Sequence, residues 1–507
     1  MNIQNVNRAS SINLASPVKS ALSQVETNQN PTDGVVLSRD TPYVSKAISL
    51  PVASEASPAS SQALLRTQDE LAVKVASNTM PLFGVGGRLF PDSHGKIQHM
   101  ALQMGNVEFG KPLPTETREA LLDVWGTLMH NMDPHTQFSI VCADQAALDC
   151  VQDLVRGTRI EESRVDLVPA NTKDGMSIWI RDSMLPTENA DGRTKILIQD
   201  RTYWPGAEDN KVAPLLVEAH KSHIFSQDHT ALRIDGGNVL SNRNVSLIGI
   251  DSFNQMKERL SELAQDPANL KQMEDLYQKC VGHPVRDQEH FWNMLPKLVL
   301  ASEFQRPVMV IGTDNPLTPN VETQPAFHID MCVTPIGDKK FLVGDPRLAL
   351  DVFNKMSPEE RAQVNAEMIK AGTLKEGDDL IGKLCETNSA PDYIANYDRV
   401  ATELKDAGYE IERVPSMIGL RTTWSLPYLT YNNCMMEIYN NEAGETVKNV
   451  YLPQYGCKPL DEMATKTYEN NGYHVVPLQM SAISKLEGAI RCSSYALERD
   501  LKNTPAS

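Results

Sequence analysis

Three times along this chain an amphipathic helical segment runs into a short apolar strand ending in Val-Pro: VQDLVRGTRIEESRVDLVP (151–169), YDRVATELKDAGYEIERVP (397–415) and LDEMATKTYENNGYHVVP (460–477). A helix-then-strand unit cannot bury its apolar face alone, so repetition predicts pseudo-symmetric modules that share a core. The copies are irregularly spaced, which argues against a stacked solenoid. Each copy opens into a loop holding unusual polar residues. The first leads to Trp179-Ile180-Arg181-Asp182 and the last to Arg491-Cys492.

The intervening sequence has the same α/β rhythm. Residues 117–131 place Leu121, Leu122, Trp125, Leu128 and Met129 on one helical stripe, and TQFSIVCA (136–143) follows as a short buried strand. Ser357-Pro358-Glu359-Glu360 combines a capping box with a proline at the first helical position, predicting a helix over 357–371. Segments 252–281 and 350–388 read as helical excursions between strands, insertions expected to shape a substrate entrance.

Residues 1–75 are expected to form a Ser/Asn-rich disordered leader, with 76–507 as one catalytic domain. The leader's polar composition cannot bury enough apolar area to offset the entropy of ordering it. It lacks the basic start and apolar core of a Sec signal. It is therefore either a linker or regulatory tail in a cytoplasmic protein, or an unfolded secretion signal resembling those of bacterial type III effectors. The chain carries 65 Asp and Glu against 48 Lys and Arg, a net charge of −17, which disfavours nucleic acid and favours a cationic partner. Acids and bases balance in the first 62 residues, so the whole excess lies in the catalytic region. No apolar run is long enough to span a membrane. The eight cysteines are scattered without CxxC pairs, so neither a disulfide scaffold nor a zinc site is expected.

Four islands carry the chemistry: SIWIRDS (177–183), RIDGGN (233–238), FHIDMC (327–332) and GAIRCSS (488–494). Together they supply carboxylates, one histidine and a cysteine near the C-terminus. A thiolate is a strong nucleophile, a histidine shuttles protons, and paired carboxylates clamp a cation. A planar guanidinium suits such a site, because its forked donors match carboxylate oxygens and hold its central carbon before the sulfur. A papain-like hydrolase places its cysteine before its histidine, the reverse of the order here.

The order WIRD, DGGN, HID and terminal Cys resembles the guanidino-group modifying enzymes: arginine, agmatine and peptidyl-arginine deiminases, and amidinotransferases. The resemblance covers about residues 80–500 and implies a five-bladed pseudo-symmetric α/β propeller of ββαβ modules. It implies Cys492 as nucleophile, His328 as general acid and then base, and Asp182 and Asp330 as guanidinium-binding carboxylates. In a strand, His328 and Asp330 would share one face. Asp235 and Asn238 are expected beside His328 and the substrate, Gly236 and Gly237 to permit a backbone shape closed to other residues, and Trp179 to wall the guanidinium or pack nearby. The expected reaction is hydrolytic deimination, with arginine in a protein or peptide favoured over free arginine or agmatine; amidino transfer and a non-catalytic interaction protein are the alternatives. No cofactor is expected, and with no EF-hand-like loop, calcium dependence is not carried over from the family.

Overall fold

The computed structural model describes residues 58–83, 86–108, 110–158, 160–188, 193–198, 208–221, 226–229, 231–313, 324–372, 380–418 and 427–505. These form a mixed α/β fold with five sheets of three or four strands.

Each of these five sheets contains the same unit, and a separate two-stranded hairpin, Val107–Glu108 with Lys111–Pro112, lies outside them. Two antiparallel strands are followed by a helical crossover to a third strand that pairs parallel with the second. Met184–Glu188, Thr194–Ile198 and Ser226–His229 are one such set, with the helix Val212–His220 as crossover. Val239–Ser241, Ser246–Gly249 and Val308–Ile311 form the next, then Val333–Pro335, Lys340–Asp345 and Glu410–Met417. Met435–Asn440, Thr446–Gln454 and His474–Gln479 are joined by the helix Lys458–Asn470. The remaining unit is assembled from both ends of the fold. Lys96–Met104 pairs antiparallel with Ser494–Asp500, in register Leu102 with Ser494, and parallel with Gln137–Cys142. That pairing brings the turn holding Cys492 to the start of the domain.

The Val-Pro segments are the parallel strands Val165–Pro169, Glu410–Met417 and His474–Gln479, each following its helix. The helix Thr115–Asn131 buries Leu121, Val124, Trp125, Leu128 and Met129. The helix Pro358–Lys370 opens on a complete capping box: the Glu360 N–H donates to Ser357 Oγ at 3.2 Å, and the Ser357 N–H to Glu360 Oε2 at 2.7 Å.

The two helical excursions are enlarged crossovers within their modules. In the first, Ile250–Leu263, Pro267–Val281 and Gln288–Phe304 stand where another module has one helix. Asp266 and Asp287 cap the second and third, accepting from Ala268 N and from Glu289 N and His290 N, and Gly282 ends the second in a left-handed conformation. Met256, Leu260, Met273, Leu276, Phe291, Leu295 and Leu298 give these helices a core of their own.

Part of the expected leader is helical. Pro58–Ala76 is a helix whose last turns bury Ala72, Val73 and Ala76 in that same core. Residues 1–57 of the expected leader lie outside the described residues. Among the described residues, no helix is long and apolar enough to cross a membrane.

Candidate active site

Each of the four sequence islands is a tight turn just ahead of the first strand of a module. Ile180–Ser183, Gly236–Asn238 and Ile329–Met331 are short 3-10 helices preceding Met184–Glu188, Val239–Ser241 and Val333–Pro335. Arg491 and Cys492 occupy the turn before Ser494–Asp500. A turn at a strand entrance aims side chains off the sheet end, where five sheets can converge on one point. His328 and Asp330 are thus not alternate residues of a strand. His328 caps a 3-10 turn that contains Asp330, and the curvature of that turn sets where each points.

His328 sits between two carboxylates, with Nδ1 3.8 Å from Asp182 Oδ1 and Nε2 3.7 Å from Asp235 Oδ2. Burial opposes its protonation, but Asp182, Asp235 and Asp330 outweigh that and raise its pKa above 6.5. Asp182 is fixed in turn by the Gly237 N–H, which donates to Oδ1 at 3.3 Å.

The two glycines of DGGN serve close approach rather than unusual dihedrals, since neither has a left-handed backbone. A Cβ on Gly237 would lie 2.4 Å from His328 Nδ1, and one on Gly236 would lie 2.1 Å from the Arg181 carbonyl. Asn238 is engaged by protein partners beside His328. It is buried, its Oδ1 accepts from Ile329 N at 3.0 Å, and its Nδ2 donates to Ser252 Oγ at 3.1 Å, so it fastens the His328 turn to the DGGN turn.

Cys492 is 4 % exposed, and its Sγ lies 3.7 Å from Asp330 Oδ2. Burial pushes the thiol pKa well up, and the Asp330 and Asp182 charges push the same way. Asp330 is wholly buried, and its two oxygens differ. Oδ2 accepts from Arg491 Nη1 at 2.7 Å, whereas Oδ1 has no hydrogen-bond partner among the described residues. Leaving such an atom unsatisfied costs about 1–3 kcal/mol or more, so its isolation beside a cysteine points to an incoming donor.

Three further side chains contribute, of which the sequence reading names Arg491 but gives it no role. Arg491 bridges Asp330, Asp92 and the Val239 carbonyl, with Nη2 to Asp92 Oδ1 at 2.8 Å and Nη2 to Val239 O at 2.8 Å. Burial works against its charge, but the two carboxylates hold it protonated. Glu108 accepts from Trp179 Nε1 at 3.0 Å, and burial raises its pKa to about 8. The Trp179 ring also covers Gly488, where a Cβ would come within 2.4 Å of it, so the indole links the Asp182 turn to the Cys492 turn.

Asn433 is the third. It is fully buried two residues before Met435–Asn440, the one module entrance without an island. Its Nδ2 lies 3.0 Å from Cys492 Sγ, and its Oδ1 accepts from Cys492 N at 3.2 Å. A signal for it existed: the middle Val-Pro segment, 397–415, leads to the loop holding Tyr431-Asn432-Asn433 just as the outer two lead to Asp182 and Cys492.

The arrangement offers a nucleophile, a proton carrier and carboxylates, with a buried acceptor awaiting a donor. No three His, Cys, Asp or Glu side chains among the described residues form a group able to hold a metal ion.

No family model and no curated protein matches the chain. Among solved structures it is similar to an agmatine deiminase of C. jejuni at 13% identity, covering 80% of this chain and 95% of that one, with a TM-score of 0.45. It is also similar to SxtG, an amidinotransferase from Microseira wollei, at 10% identity, 83% and 99% coverage and a TM-score of 0.39. A third, DDAH from Pseudomonas aeruginosa, has 12% identity, 79% and 98% coverage and a TM-score of 0.33.

Proposed function

We propose that this chain hydrolyses a guanidinium to a ureido group and ammonia through a covalent Cys492 intermediate, in five modules closed into an α/β propeller. The observation that carries the reading is the bare, buried Asp330 Oδ1 next to the Cys492 thiol. A guanidinium satisfies it with an N–H and holds its central carbon before the sulfur. Burial first, and then the charges of Asp330 and Asp182, keep the thiol pKa high; the guanidinium's positive charge offsets the two carboxylates, so substrate binding itself favours the thiolate. His328, whose protonated form the flanking carboxylates favour against burial, delivers the proton on which ammonia departs. It then takes a proton from the water that attacks the thiouronium.

The substrate is an arginine side chain in a protein or peptide. A free amino acid brings an α-carboxylate that needs a basic partner. Among the described residues, the two arginines beside the site are committed internally, Arg491 to Asp330 and Asp92, and Arg181 through Nε to the Arg491 carbonyl at 3.0 Å and against the Tyr495 ring. An arginine within a peptide has no such carboxylate, and neither does agmatine.

The purified protein is incubated with an arginine-containing peptide, free arginine and agmatine, each with and without an amine acceptor, and ureido product and ammonia are measured. Ureido formation on the peptide, lost in Cys492→Ala, is expected. Turnover of free arginine alone refutes the substrate reading, amidino transfer without ammonia refutes hydrolysis, and unchanged turnover in Cys492→Ala refutes the covalent route.

A further inference from the structure

Arg491 reaches Asp330 with one Nη, and it also lines a cavity of about 20 Å3 together with Asp92, Arg181 and Arg499. Leu89 and Ala496 belong to the apolar part of the wall. Three guanidiniums thus face one carboxylate, and all three are buried. A buried charge is costly unless it is paired, and Asp92 cannot pair with all of them. Its Oδ1 accepts from Nε and Nη2 of Arg491, at 3.1 Å and 2.8 Å, and its Oδ2 accepts from the Ser241 N–H at 2.7 Å. Arg181 Nη1 stays 3.9 Å from the same Oδ1. Arg499 donates to the backbone carbonyls of His94, Gly95, Met436 and Asp92, which satisfy its hydrogens but bring no net charge.

The next acids do not close the gap. Asp330 is engaged by Arg491 Nη1 at 2.7 Å, Asp338 is held by Arg243 Nε at 2.7 Å, and burial raises the pKa of Glu437. A fourth guanidinium adds to the excess. Arg306 is 2 % exposed and donates through Nη2 to the Leu89 carbonyl at 2.9 Å, while its Nε and Nη1 have no hydrogen-bond partner among the described residues. Burial draws the Arg499 pKa down to about 10, and Arg181 and Arg491 add to the fall.

We infer that this cavity is an anion site, which takes one monatomic anion of the size and charge of chloride. A single water needs roughly 10–15 Å3, so the space suits one occupant of about that size and is too small for a sulfate or phosphate. Water would fill it and leave the charge excess, whereas an anion removes part of that excess in a low-dielectric setting where the gain is large. Because Arg491 spans the cavity and Asp330, the anion would also steady the fork that keeps Asp330 beside Cys492. The inference needs only the fold and holds whether or not Cys492 carries the proposed chemistry.

The test reads stability without substrate. The full chain is dialysed into sodium gluconate, an anion too large for the cavity, and thermal melts are recorded as chloride replaces gluconate at constant ionic strength. The same series is run on Ala496→Val, which keeps every charge and adds two methyl groups at the cavity wall. The melting temperature of the unaltered protein is expected to rise by about 1–2 °C for each tenfold increase in chloride above its dissociation constant, and the rise is expected to vanish in the filled variant. No rise with chloride, or an equal rise in Ala496→Val, overturns the proposal. Crystals of the unaltered protein soaked in bromide give a second measurement that needs no variant. An anomalous peak inside the cavity is expected, and bromide confined to the outer surface overturns the proposal. A peak in the cavity without chloride-dependent melting marks an adventitious ion only and overturns it as well. Absence of deimination leaves these readouts intact, and their failure in an active deiminase removes the anion site alone.

Discussion

Adding a single methyl at Gly237 tests the site more sharply than removing a charged group. The Gly237 backbone is not left-handed, so alanine is conformationally acceptable there and the whole effect must come from its Cβ. That atom would lie 2.4 Å from His328 Nδ1 and 3.0 Å from Cε1 and Cγ, about 1 Å inside the 3.4 Å at which ordinary contact begins. His328 has little room to yield. Asp235 faces its far nitrogen at 3.7 Å, the Phe327 ring lies 4.6 Å from it, and Asn238 holds the next peptide N–H at 3.0 Å. Either the imidazole or the DGGN turn must therefore move by about 1 Å, and a displacement of that size in a catalytic group costs on the order of 100-fold in rate. The strain should also destabilise the fold by about 1–3 kcal/mol, well short of unfolding a domain of this size. The assay is steady-state ammonia release on the best substrate, paired with a thermal melt. The expected result is kcat down about 100-fold, with KM rising as well because the Gly237 N–H also holds Asp182, one of the two proposed guanidinium carboxylates. Gly126→Ala is the control: it lies in the helix Thr115–Asn131, where its Cβ would meet Leu154 at 3.5 Å, and activity should not change. A folded Gly237→Ala protein with kcat within twofold of the original would refute the role given to His328.

Arg491→Lys keeps the charge but loses the fork that joins Asp92, Asp330 and the Val239 carbonyl. Breaking this buried array should cost about 3–5 kcal/mol, read as a lower denaturant midpoint, and an unchanged midpoint would show that a point charge suffices. Glu108 has its folded pKa raised by burial from 4.5 to about 8, so its contribution to stability is fully present below the unfolded value and declines as pH rises towards 8. Glu108→Gln should flatten that decline, measured as urea unfolding at pH 4.5, 6.5 and 8.5; parallel curves for the two proteins would contradict it. Deleting residues 1–57 should leave the melting temperature of the domain unchanged, whereas deleting 1–76 removes Ala72, Val73 and Ala76 from the core and should lower it. Equal melting temperatures for the two truncations would show that the helix Pro58–Ala76 contributes nothing.

Local physics made much of this fold legible. The helix over Thr115–Asn131 follows from its apolar stripe, the start of Pro358–Lys370 from its capping box, and the parallel strands from the Val-Pro segments. Each depends on residues within a few positions of one another, where periodicity and capping operate. The residue types of the site were legible too, because Asp182, Asp235, His328, Asp330 and Cys492 stand in four recognisable islands.

What the sequence determined by itself was therefore three helix-then-strand units and the chemical vocabulary of the site. Only the tertiary structure decided the relations between them. HID reads as a strand by alternation, yet it folds as a 3-10 turn at a strand entrance. Gly236 and Gly237 look like turn glycines, but they are needed because Arg181 and His328 arrive from distant segments and leave no space for a methyl. Asn238 is expected beside both His328 and the substrate, and its contacts with Ile329 and Ser252 give it the supporting place beside His328. The partners of Asn433, Arg491 and Glu108 are far from them in sequence; they are Cys492, Asp92 and Trp179, brought close by the fold. Short-range pattern reports which face of a helix or strand is apolar. Which two turns share a centre depends on sheet pairing such as that of Lys96–Met104 with Ser494–Asp500, and that pairing is set by the packing of the whole chain.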